Sequence, residues 1–143
     1  ADDVIIVNGD TVYSENVPPL LRGNSEGLYL GYSSVETAAA DEMKVDLSHS
    51  DSAGTKVNEV GKSLHANCGG VTSGLAMVKG PRNRTEFIET MDRAVTTDVD
   101  MPWDNLINIM IRAGKNIELV KIPYAEFHEI DTVGDLQEAS YSQ

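Results

Sequence analysis

Val4-Ile5-Ile6-Val7-Asn8-Gly9-Asp10 is the stretch from which the fold is read. Four apolar residues in a row, with acids before them and Asn-Gly-Asp after, predict an interior strand of the parallel kind. Open α/β sheets place their ligands beyond the carboxyl ends of such strands. A carboxylate at Asp10 is therefore well situated for a metal or a metal-bound phosphate, and Gly9 permits close backbone approach. A plain turn is the other reading, because Asn, Gly and Asp favour turns for local reasons of their own. A central strand wants a neighbour on each edge, which predicts an upstream segment or a partner chain beside it.

Outward from that strand, Pro18-Pro19 within Val17 to Leu21 suits a first helical turn, ended by Arg22-Gly23-Asn24. Leu28, Leu30 and Tyr32 alternate along a strand from Gly27 to Ser33. Ala38 to Ala40 is ambiguous. Met43, Val45 and Leu47 alternate with Lys44 and Asp46 as a half-buried strand does. A polar turn from His49 to Gly54 follows, and Val57 with Val60 begins the return arm of an antiparallel hairpin. Gly69-Gly70 lead into a strand from Val71 to Val78. Helical spacing puts Phe87, Ile88, Met91, Ala94 and Val95 on one face of a helix from about Arg84 to Val95. A second helix, from about Trp103 to Ala113, turns Leu106, Ile107, Met110 and Ile111 inward. Ile117, Leu119 and Val120 form a strand, and Phe127 to Ile130 is extended. A last helix runs from Thr132 to about Ser140, with Thr132 and Asp135 at the spacing of a capping box. This order predicts a single α/β domain over residues 1–143, a mixed sheet with helices on its faces.

The 143 residues carry 23 acids against 11 bases, a net charge of −12. Such a balance repels nucleic-acid phosphates, which lysine and arginine hold, so no nucleic-acid partner is expected. An acidic protein that handles phosphorylated metabolites needs cations locally, and divalent metal is the natural choice. No apolar run approaches the roughly 18 residues of a membrane span, and no basic region precedes an apolar stretch at the start. The lone Cys68 cannot form an internal disulfide, which fits a reducing cytoplasm. It has no basic neighbour to activate it as a nucleophile. His49, His65 and His128 lack metal-ligand spacing and read as surface or core residues.

Asp131 closes Glu129-Ile130-Asp131 just ahead of the last helix. Capping of that helix by Asp131 or Thr132, worth about 1 kcal/mol, is one reading. The other is a metal. Magnesium takes one or two protein carboxylates and completes its shell with phosphate oxygens and water, so Asp10 and Asp131 suffice if folding brings them together.

Taken in order, Val7-Asn8-Gly9-Asp10, Met43-Lys44-Val45, Val60-Gly61-Lys62, Gly74-Leu75-Ala76, Trp103-Asp104-Asn105 and Glu129-Ile130-Asp131-Thr132 with Asp135-Leu136 resemble the later part of nucleotidyltransferases. The resemblance is to those that activate sugar phosphates, phosphocholine or aminoethylphosphonate, and it covers nearly the whole chain. It implies the second half of a Rossmann-like domain in which Asp10 and Asp131 bind the Mg2+ that bridges the nucleotide phosphates. Lys62 is then the catalytic lysine that contacts the acceptor phosphate, a role suited to a compact cation. Gly74, Trp103 and Asp104 lie at the acceptor pocket, the last two suited to a cationic head group. The implied partners are a nucleoside triphosphate and a small phosphorylated acceptor.

Two departures accompany the resemblance. Gly70 and Val71 stand where the family carries an acid after a glycine, and the glycine-rich loop that wraps the triphosphate, placed upstream of Asp10 in the family, is not among these residues. Little or no turnover is therefore expected of this chain by itself, the remaining half coming from a complementary segment. A non-catalytic binding or assembly module is the alternative, forming homo-oligomers through the Val4 to Val7 strand, since sheet edges invite pairing. A glycosyltransferase using nucleotide sugars shares the metal-aspartate logic, but Lys62 and the Glu129 to Thr132 ending fit it less well.

Overall fold

The structure, a computed structural model, describes residues 3–22, 25–47, 50–51 and 54–141. In chain order its elements are β1 (Val4–Val7), β2 (Thr11–Tyr13), α1 (Val17–Leu20), β3 (Gly27–Ser34), β4 (Lys44–Asp46), β5 (Ser50–Asp51), β6 (Gly54–Thr55) and β7 (Glu59–Gly61). There follow β8 (Gly69–Lys79), α2 (Pro81–Thr97), α3 (Asp104–Arg112), β9 (Ile117–Lys121), a 3-10 turn (Tyr124–Glu126), β10 (Phe127–Glu129) and α4 (Val133–Tyr141). The expected helix stop at Gly23-Asn24 and His49 lie outside the described residues. Where a polar turn is expected, β5 and β6 pair antiparallel.

The longest strand, β8, is the axis of the main sheet. One edge pairs antiparallel with β3, which in turn takes β9 in parallel. The other edge is shared by two short strands: β4 covers Gly69–Val71 and β1 covers Leu75–Val78, both antiparallel. Beyond β4 lies β7, with Val45 opposite Val60, the hairpin that the alternation predicts. The sheet is mixed, as expected, and carries helices.

The direction of β1 differs from expectation. It runs antiparallel to β8, its only strand partner among the described residues, and Ile5 and Val7 are 53% and 51% exposed. An apolar run of four records that both faces tolerate burial, but it encodes neither strand direction nor which edge is filled.

Alternation splits the interior in two. Leu28, Leu30, Val45, Val60 and Val78 face α2 and α3, joined by Phe87, Ala94, Leu106, Ile107 and Met110. On the opposite face Tyr29, Leu75 and Met77 pack with Val17 of α1 and Ile122, while Tyr13 and Phe127 lean against them. Two local expectations need correction. On α2 only Phe87 and Ala94 are buried, whereas Ile88, Met91 and Val95 are exposed. Ile88 and Val95 lie about 100° round the helix from Phe87 and Ala94, with Met91 between the two stripes, an offset that a broad helical pattern does not resolve. On β4, Lys44 is buried at 2% exposure and not on a solvent face, because its ammonium finds three backbone carbonyls.

The start of α4 follows its sequence signal. Thr132 Oγ1 accepts from the Asp135 amide at 3.1 Å and Asp135 Oδ2 accepts from the Thr132 amide at 2.7 Å, a reciprocal capping box ahead of α4. No described helix is long and apolar enough to cross a membrane.

Candidate functional site

Between the ends of β4 and β1 the edge of β8 is left open at Thr72 to Gly74. Here Thr72 donates to the Met43 carbonyl and Asn8 donates to the Gly74 carbonyl, each at 2.9 Å. The register against β3 also slips, from Leu30 opposite Ala76 to Tyr32 opposite Thr72, and Gly74 adopts φ +71°. A bulge of this kind re-aims the chain beside a site. The opening is a cleft of about 960 Å³, and Asp10, Lys62, Gly74, Trp103, Asp104 and Asp131 all line it.

One wall is acidic. The β2–β10 pair sets Glu129 opposite Thr11, and the Ile130 amide donates to the Asp10 carbonyl at 2.7 Å. Two strand ends are thereby clamped side by side. Carboxylate oxygens of Asp10, Glu129 and Asp131 lie within 4.8 Å of one another and open to solvent. Sequence reasoning named Asp10 and Asp131 and missed Glu129. Its signal was present, since residues i and i+2 of an extended segment share a face. Desolvation pushes the Glu129 carboxyl above its ordinary range, the charges of Asp131 and Asp10 add to this, and Lys62 opposes it. Three hard oxygen donors that repel one another and face open space fit a hard divalent cation whose shell is completed from outside the protein.

The wall opposite is formed around the start of α3. Trp103 Nε1 donates to Asn8 Oδ1 at 2.6 Å, and Asn8 in turn lies against Gly74, where an added Cβ would come within 2.7 Å of its side-chain nitrogen. Gly74 is itself buried, so what it admits most directly is the Asn8 side chain. Asp104, the first residue of α3, is 8% exposed, and its Oδ1 has no hydrogen-bond partner among the described residues. Burial pushes its pKa up to about 6, with Lys62 acting against the shift. Ser73 Oγ and His128 Nε2, also on cleft-lining residues, are likewise buried without a partner among the described residues. Tyr13 donates to the Ser73 carbonyl at 2.7 Å, and burial raises its hydroxyl to about 12.

Lys62 follows β7, is exposed, and is the only lysine or arginine among the described residues lining the cleft. Its charge acts on both Asp104 and Glu129, so it stands within electrostatic reach of both walls. The rim is completed by Asp41, Glu42 and Tyr124. Glu42 accepts from the Ala39 amide at 2.7 Å and from the Tyr124 hydroxyl at 2.5 Å, and the latter bond is the main cause of the rise of the Tyr124 pKa to about 12. Away from the cleft, His65 is exposed and accepts from the Asn67 amide, while Cys68 is buried with its thiol directed to the Gly70 carbonyl.

The fold matches those of solved nucleotidyltransferases. The chain is similar to an inositol-1-phosphate CTP transferase from T. maritima at 14% identity and a TM-score of 0.72, with 99% of this chain matching 54% of that one. A CTP:phosphocholine cytidylyltransferase from Streptococcus pneumoniae matches at 18% identity and a TM-score of 0.68, over 97% of this chain and 57% of that one. A nucleoside-diphosphate-sugar pyrophosphorylase from Vibrio cholerae matches at 16% and 0.57, over 96% and 55%. The likeness is one of fold, and the chain spans a little over half the length of each. No protein-family profile matches the chain, and no curated protein does.

Proposed function

We propose that this chain forms the acceptor and metal side of a Mg2+-dependent nucleotidyltransferase, which transfers NMP from a nucleoside triphosphate to a small phosphorylated acceptor such as a sugar phosphate or phosphocholine. The observation that carries the reading is the convergence of Asp10 with Glu129 and Asp131 beside Lys62 in one cleft. Asp10 and Asp131, with Glu129, hold the Mg2+, which when bound offsets the negative charge of the phosphates. Lys62 contacts the acceptor phosphate and orients one of its oxygens for attack. That oxygen forms a bond to the α-phosphorus, the bond from the α-phosphorus to the β-phosphate bridging oxygen breaks, and pyrophosphate leaves. Trp103 and Asp104 take a cationic head group, the indole face and the buried carboxylate being suited to one. Gly74 serves by letting Asn8 reach the Trp103 indole.

In this reading the rest of the triphosphate site lies in a complementary segment, on another chain or in a longer parent, corresponding to the part of the similar structures that this chain does not cover. Incubated with magnesium, the four nucleoside triphosphates and a panel of phosphorylated acceptors, the chain by itself should release little or no pyrophosphate. Mn2+ as a paramagnetic probe should broaden resonances of Asp10, Glu129 and Asp131, and Asp10→Asn or Asp131→Asn should weaken that binding about tenfold or more. Equal Mn2+ binding by wild type and both variants would sink the reading.

A second reading rests on the exposure of Ile5 and Val7 along a strand with one partner among the described residues. In it the chain is an assembly module that forms homo-oligomers through β1. A monomeric mass by light scattering excludes it.

A further inference from the structure

Lys44 is a cation in an otherwise sealed position. It belongs to the short strand β4, is 2% exposed, and makes no ion pair among the described residues. An ammonium carries three donors and no acceptor. All three are accounted for: Nζ donates to the carbonyls of Ala40 at 3.1 Å, Glu42 at 3.1 Å and Lys62 at 2.7 Å. Burying such a charge costs free energy unless it is fully hydrogen-bonded, so the arrangement is stable only while all three carbonyls converge on it. The three carbonyls come from two different segments. Ala40 and Glu42 belong to the loop that carries the acidic rim of the cleft, and Lys62 is the cation whose charge reaches both cleft walls.

A second buried side chain holds the same hairpin arm. Asn108 of α3 donates to the Val60 carbonyl and accepts from the Val60 amide, both at 2.8 Å, saturating the backbone two residues before Lys62. Lys62 is therefore fixed through its own carbonyl by Lys44 and through β7 by α3, the helix that starts with Asp104. With its backbone pinned, the exposed Lys62 side chain explores only its own rotamers.

From this geometry we infer that Lys44 is a positioning residue: its buried ammonium acts as an internal cation that locks the acidic rim at Ala40 to Glu42 and the acceptor-facing Lys62 to one edge of the cleft. The role given to Lys62 rests on the transferase reading, whereas the latch itself does not. Losing it should leave the sheet intact and loosen only the two segments it ties.

The test begins with the wild-type protein labelled with 15N and 13C. A buried, saturated Lys44 ammonium gives a slowly exchanging 1H–15N signal with through-hydrogen-bond couplings to the carbonyl carbons of Ala40, Glu42 and Lys62. A signal that exchanges as fast as those of surface lysines overturns the inference, and this holds even if no variant folds. Amide exchange is then compared in Lys44→Met and Lys44→Arg. In Lys44→Met, exchange at Glu42, Gly61 and Lys62 should rise about tenfold or more while Leu30 and Ala76 in the sheet centre stay within about twofold, and Lys44→Arg should recover part of the protection. A uniform rise across the sheet, or no change at Gly61 and Lys62, refutes a positioning role. None of these readouts involves a nucleotide or an acceptor. Absent metal binding would therefore remove the transferase reading and leave the latch, and a fast-exchanging Lys44 would do the reverse.

Discussion

Exchanging Asp104 for asparagine removes a charge while keeping the shape of the side chain, and its effect on stability can be worked from the structure. Burial raises the carboxyl from 3.8 to about 6, a difference of about 2 units, and each unit corresponds to ~1.4 kcal/mol between the two protonation states. The folded form thus favours the protonated acid. Below the unfolded value the full stability is present. As pH rises through 3.8 towards 6, ionisation costs the fold progressively more, and above 6 the whole penalty of ~3 kcal/mol is in force. Asp104→Asn should abolish that penalty, so the variant should exceed wild type by ~3 kcal/mol at pH 8 and by only ~1 kcal/mol at pH 4.5. Urea unfolding followed by circular dichroism at both pH values gives the two differences, and other titrating groups cancel between the proteins. In thermal terms the pH 8 gain amounts to roughly 10 °C for a chain of this length. If the gap between the two proteins does not widen with pH, desolvation is not what governs Asp104, and the picture of a costly buried acid held at the cleft fails. A stabilising loss of charge would mark Asp104 as a group retained at the expense of the fold, which is how binding residues commonly behave.

Two further substitutions test the walls of the cleft. Gly74→Ala places a methyl group where Asn8 already sits, at a backbone angle that L residues rarely adopt, and should cost about 1–3 kcal/mol by urea titration; an unchanged midpoint would mean the bulge relaxes freely. Asn108→Leu leaves the Val60 amide and carbonyl without partners in a buried setting, for a loss of about 2 kcal/mol or more, and amide exchange at Val60 should accelerate beyond that of β3. Retained protection at Val60 would show that α3 does not close the edge of β7.

The parts of this fold that were legible in the sequence are those where one pattern answers one question. Thr132 and Asp135 cap α4 as their spacing requires, Val45 meets Val60 across the hairpin, and Leu106, Ile107 and Met110 turn inward on α3. Where a pattern serves two outcomes, reading fell short. The run Val4 to Val7 does not encode its direction, and the Thr11–Tyr13 strand is hidden behind an Asn-Gly-Asp that looks like a turn. Lys44 reads as the outward residue of an alternating strand because its partners are backbone carbonyls, which no side-chain pattern records. The residues proposed for the site were named from ordered motifs and do line one cleft, but the roles of Asn8 and the bulge at Gly74 emerge only from the pairing of β8 with β1 and β3, and Glu129, although it shares a face with Asp131 by spacing, joins Asp10 only through the pairing of β2 with β10.

Trp103 is the single tryptophan of the chain, and its indole N–H is held by Asn8 at the wall of the cleft. Indole emission from this chain therefore originates at one address, with no second tryptophan to dilute it. Anything that enters, displaces Asn8 or changes the polarity around that ring will be visible as a shift in colour or intensity, so the molecule arrives already fitted with its own optical gauge.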